Sequence, residues 1–182
     1  PEERRPVMRK VVLFIAMSLD GFIADRRGGV DWLSGQGSGA SFDAYGAFIQ
    51  NVDTVLMGWN TYHQIITELA SGEWPYTGLA CYVFTHRVQP ASSGAVFIQE
   101  DPCALVRRLQ QEQGKDVWIC GGAQLAQQLM AQDLIDEYYI SVIPTLLGGG
   151  VRLFGPLEQE RKLCLLETHS CDGITGLVYV RR

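Results

Sequence analysis

The chain of 182 residues has little that would tie it to nucleic acid, metal or membrane. Its 15 Lys and Arg stand against 20 Asp and Glu, a formal net charge of -5, and form no basic cluster of the kind phosphate neutralisation needs. Nucleic acid is therefore excluded as the main partner. The five cysteines, Cys81, Cys103, Cys120, Cys164 and Cys171, are an odd number without CxxC or Cys/His ligand spacing. They read as reduced structural thiols, and no metal site is expected. No apolar run is long enough to cross a bilayer, and no early segment combines a basic start, an apolar core and a cleavage site. A cytoplasmic protein without membrane contact is the expectation. Charged residues at 19% and hydrophobic residues at 47% suit one globular domain. Residues 1–6 (PEERRP) read as a loose extension ahead of a domain spanning 7–182.

The most informative stretch runs from Asp116 to Phe154. Asp116 to Cys120 is a short apolar run with β-branched and aromatic members that stops at Gly121-Gly122, as a buried strand does. Leu125, Ala126, Leu129 and Met130 then recur at helical spacing, with Gln124, Gln127, Gln128 and Gln132 on the opposite face. The two glycines thus sit at a helix N-terminus. They carry no side chain to block an approaching ligand, and the first helical N–H groups lack internal acceptors, so an anion is suited to this turn. A Gly-Gly between strand and helix also serves as a plain tight connection.

Elsewhere the same alternation recurs. Val11 to Met17 is a continuous apolar run suited to a strand buried on both faces, followed by the Ser18-Leu19-Asp20-Gly21 turn and Phe22-Ile23-Ala24. A Gly- and Arg-rich loop delivers Trp32, and 35–41 (GQGSGAS) is flexible by composition. Ser41 is placed to cap a helix with Phe42, Tyr45, Phe48, Ile49 and Val52 as its apolar stripe and Asp43 in its first turn. Thr54 to Met57 is a strand ended by Gly58, and Tyr62, Ile65, Ile66 and Leu69 mark a second helix stopped at Gly72. Strands are expected at 79–85 and 95–98, then a helix capped by Asp101 with Pro102 in its first turn and Gly114 as its stop. A terminal hairpin of 163–169 and 175–181 turns near Asp172-Gly173. Strand and helix alternation argues for an α/β domain with a mainly parallel sheet covered on both faces, and such sheets bind ligands at the carboxyl ends of their strands.

Four stretches, AMSLDGFIA at 16–24, VLMGWNTY at 55–62, VWICGGAQLA at 117–126 and LIDEYYISVIPTLLGGGVRLF at 134–154, resemble the dihydrofolate reductase superfamily. The resemblance is strongest to the reductase domain of the riboflavin-biosynthesis protein RibD and its stand-alone relatives. It implies a central, mainly parallel eight-stranded sheet with an antiparallel C-terminal hairpin and helices on both faces. It also implies NADPH-dependent reduction of a heterocyclic small molecule, and often a homodimer. Carried over by position, Ala16 would hold the nicotinamide amide through its backbone. Gly58, Trp59, Asn60 and Thr61 would meet the pyrophosphate, and Thr85, His86 and Arg87 the adenosine ribose and its 2'-phosphate. Cys120, Gly121, Gly122, Ala123, Gln124 and Leu125 would cradle the phosphates, with a cis peptide between the glycines. Asp43 and Asp20 would be the catalytic carboxylates, with Phe14, Phe22, Trp32 and Asp43 against the substrate.

Plainer roles compete at these positions. Thr61 can simply cap its helix, His86 and Arg87 can be solvated loop residues, and Trp32 can be ordinary core. Asp20 can serve only its turn, and Asp43 only the helix dipole. Against the family pattern, Trp59 replaces a basic residue at the pyrophosphate, Phe14 and Phe22 replace basic residues at the substrate, and Cys120 replaces an acid. These departures favour an uncharged ring over a phosphorylated ribosylaminopyrimidine. The reading is thus a RibD-like reductase acting on 5-amino-6-(5-phosphoribosylamino)uracil or a related heterocycle. A true dihydrofolate reductase and a non-catalytic nucleotide- or pterin-binding protein are the alternatives.

Overall fold

Alternation of apolar side chains decides which strands lie at the centre of the sheet. In a computed structural model that describes residues 8–90, 92 and 94–182, β1 (Val11–Ser18) sends Val11 and Leu13 into one buried cluster and Phe14 against another. The same split recurs in β3 (Val52–Gly58), where Leu56 faces the first cluster and Val55 and Met57 the second. In β6 (Asp116–Gly121), Val117 and Ile119 oppose Trp118 and Cys120. Strands with two apolar faces need cover on both. Helices α3 (Pro102–Gln111) and α4 (Ala123–Ala131) supply Leu105, Val106, Leu109, Leu125, Ala126 and Leu129 on one side. The other side receives Phe48 and Ile49 of α1 (Ala44–Ile49), and Tyr62 and Ile65 from α2 (Trp59–Gln64) and the π-helical turn Ile65–Leu69 that extends it. Each fully buried Leu, Ile or Met contributes roughly 1.5–3 kcal/mol.

The main sheet has eight strands in the order β5-β4-β3-β6-β1-β7-β10-β9, where β4 is Ala80–Phe84, β5 Val96–Ile98, β7 Glu137–Ile143, β9 Leu163–Cys171 and β10 Ile174–Arg181. The first six strands are parallel, while β10 runs antiparallel to β7 and to β9. The expected eight-stranded sheet, the late hairpin and the cover on both faces are all present. Asp172 and Gly173 turn the hairpin, both with positive φ. A small second sheet pairs β2 (Phe22–Ala24) with β8 (Val151–Arg152), a pairing too short to be visible as periodicity. The N-terminal extension expected at 1–6 lies outside the described residues.

Several local expectations are corrected. Helix α1 is capped by Asp43, not Ser41, and Val52 belongs to β3. A side chain at position 46 would overlap the Asp43 carboxylate, so Gly46 is what lets Asp43 accept the Gly46 N–H at 2.8 Å. Thr61 does not cap α2, because Gly58 holds that position without a side-chain bond. The Gly121–Gly122 peptide is trans, since the described residues contain no cis bond. The 35–41 segment, flexible by composition, is held by Asp172. The Asp172 carbonyl accepts from Gln36 N, and its carboxylate accepts from Gly37 N and Ser38 N.

At the amino ends of the strands, buried Arg9 ties four elements together. Its Nε donates to Lys115 O at 2.7 Å, Nη1 to Leu109 O, and Nη2 to Thr54 Oγ1 at 2.7 Å and to the Asp53 carboxylate. Desolvation works against an ionised Asp53, yet the Lys115 N–H, the Thr54 hydroxyl and Arg9 outweigh it and hold the carboxyl below its usual range. Arg9→Met should cost about 3 kcal/mol in urea unfolding, because Thr54 and two carbonyls lose a buried donor. A pKa depressed on folding contributes stability above the ordinary carboxylate pKa and loses it as pH falls through the lowered value. Wild type should therefore destabilise more steeply below about pH 4 than Arg9→Met does.

Candidate active site

The β1–β6 ladder is shorter than the strands that make it. Register runs Val11↔Val117, Val12↔Trp118 and Leu13↔Ile119, and then stops, although β1 continues to Ser18 and β6 to Gly121. In a parallel strand, alternate residues turn both peptide groups toward the same neighbour. Lys10 O accepts from Val117 N and Val11 O from Asp136 N, so even-numbered residues of β1 face β6 and odd-numbered ones face β7. Phe14 O keeps this parity but accepts from the indole Nε1 of Trp118 at 3.1 Å in place of a ladder rung. Two residues on, the N–H and C=O of Ala16 point into the open wedge. Beside it, β6 carries an irregularity against β3: Leu56 pairs Ile119 but Met57 pairs Gly121, leaving Cys120 as the extra residue.

Two glycine turns meet at the carboxyl end of β6, beside this wedge. Gly122 caps α4 with φ +97°, a value that disfavours any side chain, and a Cβ built there would lie 3.5 Å from Gly58 N. A Cβ on Gly121 would lie 3.2 Å from Thr61 Oγ1, so Thr61 faces this turn. The first backbone bond of α4 is Ala126 N to Gly122 O, and Gly122 offers no side-chain cap. The N–H groups of Ala123, Gln124 and Leu125 are thus left directed out of the helix end. Leu125 contributes only its amide, because its side chain is core.

Other expected residues are placed as follows. The Thr85 hydroxyl, buried, accepts from Arg87 N at 3.2 Å and is spent on its own turn, while His86 and Arg87 are exposed. No ion pair engages Arg87 among the described residues. Trp59 packs against Tyr62, His63 and Phe97 with ring centres 5.6, 5.7 and 6.0 Å away, and Asn60 is exposed. Trp32 is half-buried and donates to Gly29 O within its own loop. Phe14 and Phe22, expected to wall one pocket, have different surroundings. Phe14 stacks on Phe48 at 4.3 Å and meets Tyr139 at 4.5 Å, whereas Phe22 lies beneath the Arg152 guanidinium at 4.8 Å. The short β2–β8 pairing brings that cation over Phe22, whereas Phe14 has aromatic neighbours.

Neither expected catalytic carboxylate stands free. Asp43 caps α1, as described. Asp20 accepts from Ser18 Oγ at 2.6 Å, Gly148 N at 2.8 Å and Leu147 N at 3.1 Å, joining the turn after β1 to the 145–150 loop. The Ser18 hydroxyl leads these bonds in holding its pKa at about 2. It is therefore a fixed anion at neutral pH and no proton donor. Sequence reasoning missed Trp118 and Tyr76 altogether: Trp118 was one member of an apolar run, and Tyr76 lay in an unassigned loop. Hollows of about 580 and 630 Å³ lie toward the amino end of β1, and neither is lined by the glycine turns.

A mainly parallel sheet that opens between two adjacent strands beside a Gly-Gly turn is the dihydrofolate reductase-like fold. The profile of the RibD C-terminal domain matches residues 9–179, and the chain belongs to that family. It is 42% identical to the uncharacterized protein YwjB of Bacillus subtilis (strain 168), over 95% of this chain and 98% of that one. Among solved structures, a Shewanella sp. PV-4 protein assigned by its name to riboflavin biosynthesis superposes with a TM-score of 0.83 at 30% identity, covering 95% of this chain and 99% of that one. A diaminohydroxyphosphoribosylaminopyrimidine deaminase/5-amino-6-(5-phosphoribosylamino)uracil reductase from Thermotoga maritima shares the fold at 15% identity and a TM-score of 0.68. That match covers 96% of this chain but 57% of that longer one.

Asp20→Asn tests the clamp between the two loops. The variant should speed amide exchange at Leu147 and Gly148 severalfold while leaving β6 protection unchanged. Wild-type exchange corrected for intrinsic pH effects should stay flat from pH 7 to about 4, because the carboxylate gives up its proton-free form only near its lowered pKa.

Proposed function

We propose that the chain is an NADPH-dependent reductase of a heterocyclic substrate of the pterin, folate or ribosylaminopyrimidine type. The observation that carries this reading is the wedge between β1 and β6, with the Ala16 peptide directed into it and the Gly58 and Gly121-Gly122 turns at its mouth. These residues fit the cofactor, because the glycines put no side chain in front of the free N–H groups at the start of α4. Ala16 would hold the carboxamide edge through its N–H and C=O, and the α4 N–H groups with Thr61 would meet the pyrophosphate. Arg87, exposed beside the end of β4, would take the 2'-phosphate. NADPH supplies the hydride when bound. The protein's share is orientation and exclusion of water: Trp118 and Phe14 wall the wedge, and Asp20 fixes the loop beside it. Five free cysteines accord with a reducing, cytoplasmic setting.

One observation favours binding without turnover as a second reading. Asp20 and Asp43, the two carboxylates the family pattern offers, are both committed to backbone N–H groups. A single-turnover measurement with bound NADPH separates the two readings, because a binding protein shows no loss of nicotinamide absorbance.

The cofactor experiment is a calorimetric titration of wild type, Gly122→Ala and Arg87→Ala with NADPH and NADH. Gly122→Ala should stay folded at a cost of about 1–3 kcal/mol from its positive φ and weaken both cofactors by about tenfold or more. Arg87→Ala should weaken NADPH far more than NADH. Unchanged affinities in both variants would remove the assignment.

A homodimer through the free edge of β9 belongs to the same reading. Residues Cys164 to Thr168 of this outermost strand are exposed, and Leu165 and Leu166 are 53% and 62% exposed. Sedimentation should find a dimer, and Leu166→Glu should shift it toward monomer.

A further inference from the structure

We infer that Tyr76 orients the substrate ring, and that the half-buried aromatic face around Cys120 takes a flat, uncharged heterocycle through the Tyr76 hydroxyl. The inference rests on the placement of the cofactor at the β1–β6 wedge and names what lies next to it. Cys120 is the extra residue of β6 and shares the α1 face with Trp118, one position before the Gly121-Gly122 turn. Tyr76 reaches this point from the 71–79 segment. Its ring stands edge-on to Trp118 at 5.3 Å and to Trp74 at 5.3 Å, which fixes the ring plane. Among the described residues its hydroxyl has one hydrogen-bond partner, the Cys120 thiol at 3.7 Å.

That pairing is weak for a tyrosine held so firmly. Tyr139 and Tyr62 place their hydroxyls 3.1 Å from His169 Nε2 and 3.2 Å from Ser92 Oγ. A thiol is a poor donor and a poor acceptor, so the Tyr76 O–H keeps most of its bonding capacity for a better partner. Tyr45, which α1 brings to Trp118 at 5.7 Å, adds a third hydroxyl-bearing or thiol-bearing side chain to the same wall.

The electrostatics select the kind of partner. Burial pushes the ionisation of Tyr76 and Tyr45 upward and that of the Cys120 thiol to about 11, so all three are neutral at physiological pH. Desolvation is the largest cause for each, and no Lys, Arg or His is among the groups that shift Tyr76, Tyr45 or Cys120. Arg152 stands over Phe22, apart from the aromatic group formed by Phe14, Tyr45, Tyr76 and Trp118. A phosphate dianion against Trp118 would lose hydration with nothing to offset it. A planar ring with a carbonyl or ring-nitrogen acceptor at its edge meets aromatic surface and the Tyr76 donor instead.

The test uses 7,8-dihydropterin as the probe, added to the full chain saturated with NADP+ and followed by quenching of tryptophan fluorescence. Wild type should bind it, and Tyr76→Phe, which keeps the ring and its packing, should bind it about tenfold more weakly, the effect of one hydrogen bond. NADP+ affinity should be the same in both proteins within about twofold, and excess ribose 5-phosphate should not displace the pterin. Equal pterin affinity in the two proteins, no pterin binding by wild type, or displacement by ribose 5-phosphate would overturn the inference. Failure of NADP+ to bind wild type would instead overturn the cofactor assignment on which it rests.

Discussion

The hydrogen bond from the Trp118 indole to the Phe14 carbonyl is the constraint on which the candidate site depends. It occupies an acceptor that would otherwise serve the next rung between β1 and β6, at the point where their ladder ends. A parallel sheet gains by continuing each ladder to the ends of its strands, and a strand pair that parts early leaves peptide groups to be satisfied elsewhere. Here one is satisfied by the indole, and the Ala16 peptide is left facing the gap. The irregularity at Cys120 acts in the same direction, bending β6 away and turning a side chain toward α1. The wedge is therefore a product of one side chain and one extra residue near the carboxyl end of β6.

Such a gap persists only if the rest of the structure holds the strands rigidly. At the amino ends, Arg9 binds the starts of β3 and β6 and the end of α3 through charge-assisted bonds. At the carboxyl ends, Asp20 spans from the turn after β1 to the amides of Leu147 and Gly148, and Asp172 holds 36–38. These carboxylates accept from backbone N–H groups of segments distant in sequence. They order loops that composition alone would leave free. The cost is chemical, because an aspartate committed in this way is a poor acid.

Tyr76 and Trp118 show why a site of this kind is only half visible in a sequence. The glycines of the two turns were legible, since a residue without a side chain between an apolar run and a helical repeat has few structural uses. Asp101 and Pro102 were legible as a helix start for the same local reason, and Asp172-Gly173 as a hairpin turn. The cap at Asp43 was misplaced by two residues, because both Ser41 and Asp43 satisfy the capping preference and only the position of Gly46 decides between them. Phe14 and Phe22 looked equivalent as replacements of basic residues, yet one joins an aromatic stack and the other lies beneath Arg152, which arrives from 130 positions later in the chain.

By itself the sequence determined the α/β class, a mainly parallel sheet, the antiparallel hairpin and the glycine turns. Periodicity, capping and turn chemistry are local, and each is written within a window of a few residues. Only the tertiary structure decided that β1 and β6 become neighbours and then part, that the indole of Trp118 ends their ladder, and that the Tyr76 hydroxyl reaches Cys120. The physical reason is that these contacts join residues 44 and 104 positions apart, and their energies depend on distances and directions that no local pattern encodes.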